Sequence, residues 1–88
     1  MSATVLDKIM ENLATVSMNY ATMLSEADTL KCTILALPKA VERLTGLKTQ
    51  LENLQNDIQK LPEDEQKFGA ETHTTILLNA INSILSTA

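Results

Sequence analysis

The sequence predicts an all-α chain, an elongated helical hairpin or three-helix bundle with coiled-coil packing, built to sit in an oligomer. Three observations predict it. The apolar residues Leu6, Ile9, Leu13, Val16, Tyr20, Met23, Ala27, Leu30, Ile34 and Leu37 are spaced alternately by 3 and 4. A second set, Leu47, Leu51, Leu54, Ile58 and Leu61, is spaced 4, 3, 4, 3. A mean step of 3.5 keeps a stripe facing its neighbour when helices wrap around one another. The aromatic content is the third observation. Tyr20 and Phe68 are the only aromatics in 88 residues. Large rings supply much of a small core's burial, so Leu, Ile, Val, Met and Ala must interlock instead.

The first helix is expected over 3–37. Ser2 or Thr4 can cap it, and Asp7 then lies in the first turn, where negative charge opposes the helix dipole. With Leu6 at an a position and Ile9 at d, the flanking positions hold Val5, Met10 and Leu24 where a two-stranded coiled coil carries charge. The apolar face is therefore wide, which suits a bundle of three or more helices. The outer face is also unusual. From Asn12 to Ser25 the chain has no Asp, Glu, Lys or Arg. Ala14, Met18, Ala21 and Ser25 are free to meet a further partner or to form a plain polar surface.

Pro38 is the first break, since it removes a backbone donor and disfavours helix at Leu37. No Gly, Asn or Asp stands beside it to make a tight reversal, and Val41 and Leu44 continue the stripe. A kinked continuous helix and a short turn are both open. The second helix is expected over 38–61. Leu44 and Leu47 are two d positions three apart, a stammer with Gly46 inside it, which predicts a bend or a change of packing partner there. The third helix is expected over 63–86, opened by Pro62 and the acids Glu63, Asp64 and Glu65. Its apolar face holds Leu77, Leu78, Ile81, Ile84 and Leu85. Phe68-Gly69 is a place where it can be interrupted. After Glu71 no charged residue appears.

Composition excludes several functions. The formal charge is −4, from 7 basic and 11 acidic residues, and only Lys39 and Arg43 form a basic pair, so a nucleic-acid surface is not expected. No run of about 20 apolar residues offers a membrane span, and Asp7, Lys8 and Glu11 break up any leader-like segment. The polar side of the third helix carries Asn79, Asn82, Ser83 and Ser86 rather than Lys or Arg, which disfavours a membrane-surface helix. Cys32 is alone, which fits a reducing, cytoplasmic setting. Neither Cys32 nor His73 falls in a metal-ligand spacing. No phosphate loop, HExxH or nucleophile elbow is present, so no catalytic, cofactor or metal residues are assigned.

The expected function is a non-enzymatic coiled-coil subunit that assembles with itself or with heterologous helices and scaffolds a larger complex. The expected interface is Leu6, Ile9, Leu13, Val16, Tyr20, Met23, Leu30, Ile34, Leu37, Leu47, Leu51, Leu54, Ile58, Leu77, Ile81 and Ile84. The alternative is a secretion-linked helical protein, an export chaperone or filament subunit, to which the Ser/Thr/Asn-rich stretches 12–25 and 72–88 lend support.

Overall fold

A computed structural model describes residues 5–88. They form three α-helices and one short 3-10 turn: α1 (Val5–Leu30), the turn (Ile34–Ala36), α2 (Ala40–Gln59) and α3 (Glu65–Leu85). The described residues contain no strand. The three helices pack against one another in a molecule of 44 × 25 × 19 Å. Its long dimension is little more than α1 itself, whose 26 residues span about 39 Å at the α-helical rise.

The spacing of the apolar residues dictates which faces close. Ile9, Leu13, Val16, Met23 and Ala27 are buried along one side of α1. The caps expected at Ser2 or Thr4 lie outside the described residues.

The end of α1 differs from the expected one. The helix stops at Leu30 rather than Leu37, and it stops without glycine. Lys31 takes the left-handed conformation, φ 54°. Its N–H donates to Asp28 O at 3.1 Å, and Cys32 N–H donates to Ala27 O at 3.0 Å. That pair of bonds closes a Schellman turn, which satisfies carbonyls the helix end leaves open. Pro38 is therefore not a kink in a continuous helix, and the chain reverses direction here. Pro38 lies in a connector, Lys31 to Lys39, that tucks Ile34 and Leu37 against the core before α2 begins. Lys39 is again left-handed, φ 55°.

In α2 the buried residues are Ala40, Leu44, Leu47, Leu51, Leu54 and Ile58. Their spacing is 4, 3, 4, 3, 4, so Leu44 belongs with the residues that follow it. The change of register falls at the connector rather than at Gly46, and Val41 is left exposed. Nothing approaches within 4 Å of where a Gly46 side chain would begin, and α2 runs through it as one helix.

The start of α3 is set by a cap. Asp64 is extended, φ −162°, and its side chain accepts from Lys67 N–H at 2.9 Å. Pro62 precedes this cap in the loop instead of opening the helix. A carboxylate that takes up a free first-turn N–H is worth about 1 kcal/mol, which places the boundary here. Phe68-Gly69 does not interrupt α3. Ala70, Thr74, Leu77, Leu78 and Ile81 are buried along it, with Ile84 and Leu85 half-buried.

The central element is α2. Both α1 and α3 pack extensively on it, while α1 and α3 meet only lightly. Leu13 and Leu30 separate the two environments of α1: the first is 1% exposed and the second 63%. Leu13→Ala should cost about 2–5 kcal/mol through lost burial and a cavity, whereas Leu30→Ala should stay within about 0.5 kcal/mol of the wild type. Urea denaturation followed by circular dichroism reads both.

Candidate interaction surface

The structure gathers the predicted interface residues, but within one chain. Ile9, Leu13, Val16, Met23, Leu37, Leu47, Leu51, Leu54, Ile58, Leu77 and Ile81 form a single buried cluster. Tyr20, Ile34 and Ile84 pack at its margin. Leu6 is half-buried at the end of the bundle, beside Leu61 and Pro62. Leu30 alone among these residues points to solvent. The stripes thus seal the chain's own helices against one another.

The flanks of α1 are distinguishable. One faces α2. Asn12 and Thr15 share a groove with Leu54 and Asp57, and Thr22 shares one with Leu47. Further along, Arg43 Nη1 and Nη2 donate to Glu26 Oε2 and Oε1 at 3.2 and 3.0 Å. Hydrogen bonding to the Arg43 guanidinium holds the Glu26 carboxyl below its ordinary range, with partial burial opposing and charge attraction assisting. The same contact raises Arg43. The opposite flank carries Met10, Ala14, Ser17, Ala21 and Leu24, again spaced 4, 3, 4, 3. Of these, only Ser17 is half-buried, and the rest are exposed.

The contacts also set the levels of the helices. α1 runs antiparallel to α2, as Glu26 opposite Arg43 shows. α3 runs antiparallel to α2, with Gln59 Nε2 donating to Glu71 Oε2 at 3.4 Å and Gln55 close to Thr75. α1 and α3 are therefore parallel, and Asn12 stands level with about His73 at the common helical rise. The two uncharged stretches, 12–25 and 72–88, lie at one height. Glu71 and Thr75 flank α2, so helical geometry turns His73, Ile76 and Ala80 of α3 away from it. The result is an uncharged side of the bundle, built on α1 and α3. Met10, Met18, Leu24 and Ile76 are its exposed large apolar side chains. The charges of the central helix, Glu42, Lys48, Glu52 and Asp57, belong to α2.

Two polar residues in the interior were missed by pattern reading. Lys67 is buried, with a side chain 7% exposed, and Nζ donates to Glu63 Oε1 at 2.8 Å. The motif Glu63-x-x-x-Lys67 is the signal that could have found this pair. Thr74 is fully buried at the middle of α3, and its hydroxyl has no hydrogen-bond partner. Nothing in its surroundings in the sequence marks it, beyond its position on the Ala70–Leu77–Ile81 face.

Among the described residues no group of three His, Cys, Asp or Glu side chains could hold a metal ion. Cys32 is half-buried against the core margin in the connector, and His73 is exposed. Among the same residues no helix is long and apolar enough to cross a membrane. No protein-family model matches the chain, no curated protein matches its sequence, and no solved structure matches its fold.

Two measurements check this description. Thr74→Val keeps the shape and removes an unsatisfied buried hydroxyl, so it should raise stability by about 1 kcal/mol, read from the urea midpoint. The Glu26–Arg43 pair has a pH signature. A carboxyl lowered by folding stabilises the fold above its unfolded pKa, and that contribution fades as pH falls through the folded value. The melting-temperature difference between wild type and Glu26→Gln should therefore be fully present near about pH 7 and should shrink as the pH is lowered below the ordinary carboxylate range. Added salt should shrink it, since the pair is solvent-facing.

Proposed function

We propose that this chain is a non-enzymatic interaction module that docks an amphipathic helix of a partner protein across the uncharged α1–α3 side. The observation that carries this reading is the coincidence at one height of two charge-free stretches, each with exposed apolar side chains. A solvated helix surface of this length normally carries several charges of both signs. Exposed apolar surface gathered on one side marks an interaction site more often than scattered single residues do.

The shape of the surface favours a helix as occupant. Met10, Ala14, Ser17, Ala21 and Leu24 repeat with coiled-coil spacing. The small residues Ala14, Ser17 and Ala21 let a neighbouring backbone come close, and Met10 and Leu24 supply apolar anchors at either end. Because α1 and α3 meet only lightly, a helix laid along this edge has a wall on each side. It would complete a four-helix arrangement. Burial of anchors of this kind contributes about 1.5–3 kcal/mol each before ordering costs.

The expected original interface is thereby reassigned. Leu13, Leu51 and Ile81 hold the module together, and the exposed flank binds. The chain is proposed as a subunit of a larger assembly, with a reducing compartment such as the cytoplasm as its setting.

The test uses helical peptides selected by display against the full chain. They should compete for one site and protect α1 and α3 side chains in chemical footprinting. Met10→Asp with Leu24→Asp should leave the circular dichroism spectrum unchanged and weaken the peptides by at least about tenfold, as loss of two anchors implies. Selected peptides that bind the double variant as well as the wild type, or that footprint on Lys48 and Glu52 of α2, would refute the proposal.

A further inference from the structure

We propose that the connector Lys31–Lys39 is a hinge that straightens, so that two copies of this chain exchange α1 across each other's α2 and α3. This goes beyond the docking surface and does not depend on it.

Three features of the connector point this way, and a fourth opposes it. Both of its ends are held by lysines in the left-handed conformation, φ 54° and 55°, a region where a β-carbon crowds the following carbonyl. Straightening relieves both. The connector contains no glycine, and Lys31, Leu35, Ala36, Leu37 and Lys39 are all good helix formers or tolerated in helices. The apolar spacing also passes through it: Leu30, Ile34, Leu37, Val41 and Leu44 are spaced 4, 3, 4, 3. A helical connector would carry the α1 stripe into α2, where Val41, exposed in the folded chain-closed form, joins it. Finally, Pro38 is the one residue in the segment that resists, through its missing donor and the ring's clash with the preceding turn.

The occupant of the vacated site is a second copy for a physical reason. The surface that α1 leaves on α2 and α3 was shaped by α1, including Arg43, which pairs with Glu26. The α1 of a second copy reproduces each of those contacts, now between chains. The two forms then differ only in the connector and in the entropy of association, which is the condition under which exchange of identical elements is accessible.

The experiment uses the full chain with Cys32→Ser, Glu26→Cys and Arg43→Cys, treated with a short bis-maleimide. The crosslink lies within one chain in the closed form and between chains in the exchanged form. Light scattering after incubation at high concentration gives the dimer fraction. Adding Pro38→Ala should raise the dimer association constant at least about tenfold, given the penalty proline carries inside a helix, and the crosslinks should join two chains. Lys31→Gly with Lys39→Gly should lower it about as much, because glycine removes the strain of the closed form and weakens a helical connector. A Pro38→Ala chain that stays folded and monomeric overturns the proposal, as does a dimer whose crosslinks remain within chains. Should Pro38→Ala fail to fold, the glycine pair decides. An unchanged dimer fraction in that variant overturns the proposal, and a reduced one with interchain crosslinks in the parent supports it.

Discussion

The fold depends on one helix being shared. Leu44, Leu51 and Ile58 of α2 are completely buried, and they can be so only because α1 closes one side of α2 and α3 closes the other. Neither outer helix substitutes for α2, since they meet each other only lightly. A chain of this length buries a limited share of its surface on folding. Placing the most complete burial in the middle element lets the buried stripe of α2 serve two neighbours. The 4-3-4-3-4 spacing from Ala40 to Ile58 is what that arrangement requires.

An open edge follows from the same constraint. Three parallel or antiparallel rods around a shared member leave one pair in weak contact, here α1 with α3. In most small bundles the outward face of such an edge is charged. Here the charges sit on α2 and at the helix ends, while 12–25 and 72–88 carry none. The electrostatic layout thus singles out one side of the molecule, and that side is where the large exposed apolar residues Met18 and Ile76 lie, 69% and 60% exposed. The interior, by contrast, is not optimised for stability throughout. The unpartnered hydroxyl of Thr74 and the largely buried side chain of Lys67 both sit on α3. α3 is accordingly the outer helix whose packing face carries the polar groups.

The all-helical class was legible in the spacing of apolar residues, and so were the buried faces. Ile9, Leu13, Val16 and Met23 were identifiable as facing inward because a 3.5 or 3.6 repeat leaves them no other common direction. What the repeat cannot state is which helix a stripe meets. Spacing looks alike whether the partner is another chain or the next segment of the same one, so Leu51 and Ile81, which are buried within the chain, read equally well as an interface. The end of α1 was hidden for a related reason. The stripe continues to Leu37, and no glycine marks the stop; a Schellman turn built on Lys31 depends on tertiary closure rather than on local preference. The start of α3 was legible only approximately, because Pro62 and Asp64 are both start signals and their competition is settled by which N–H groups need an acceptor. Of the second, exposed stripe, Ala14 and Ala21 were visible in the uncharged outer face, whereas Met10 and Leu24 read as widening the core-facing stripe; the alignment with 72–88 required the helix levels.

The connector shows why such ambiguity has physical content. A sequence whose stripe passes through a break is one in which the broken and the continuous forms bury much the same residues. The choice between them then rests on a small number of backbone terms. Two strained lysines weigh against the closed form, and Pro38 weighs against the open one. Terms of this size are each comparable with a large fraction of the stability of a small domain. Where the stripe is interrupted as well as the helix, no such balance exists, because straightening would expose apolar surface or misalign it. Between α2 and α3 the chain is of that second kind: Pro62 and three successive acids separate Leu61 from Phe68, and Asp64 is committed as a cap. The two connections of this bundle therefore differ in kind, the second holding a boundary and the first holding a choice.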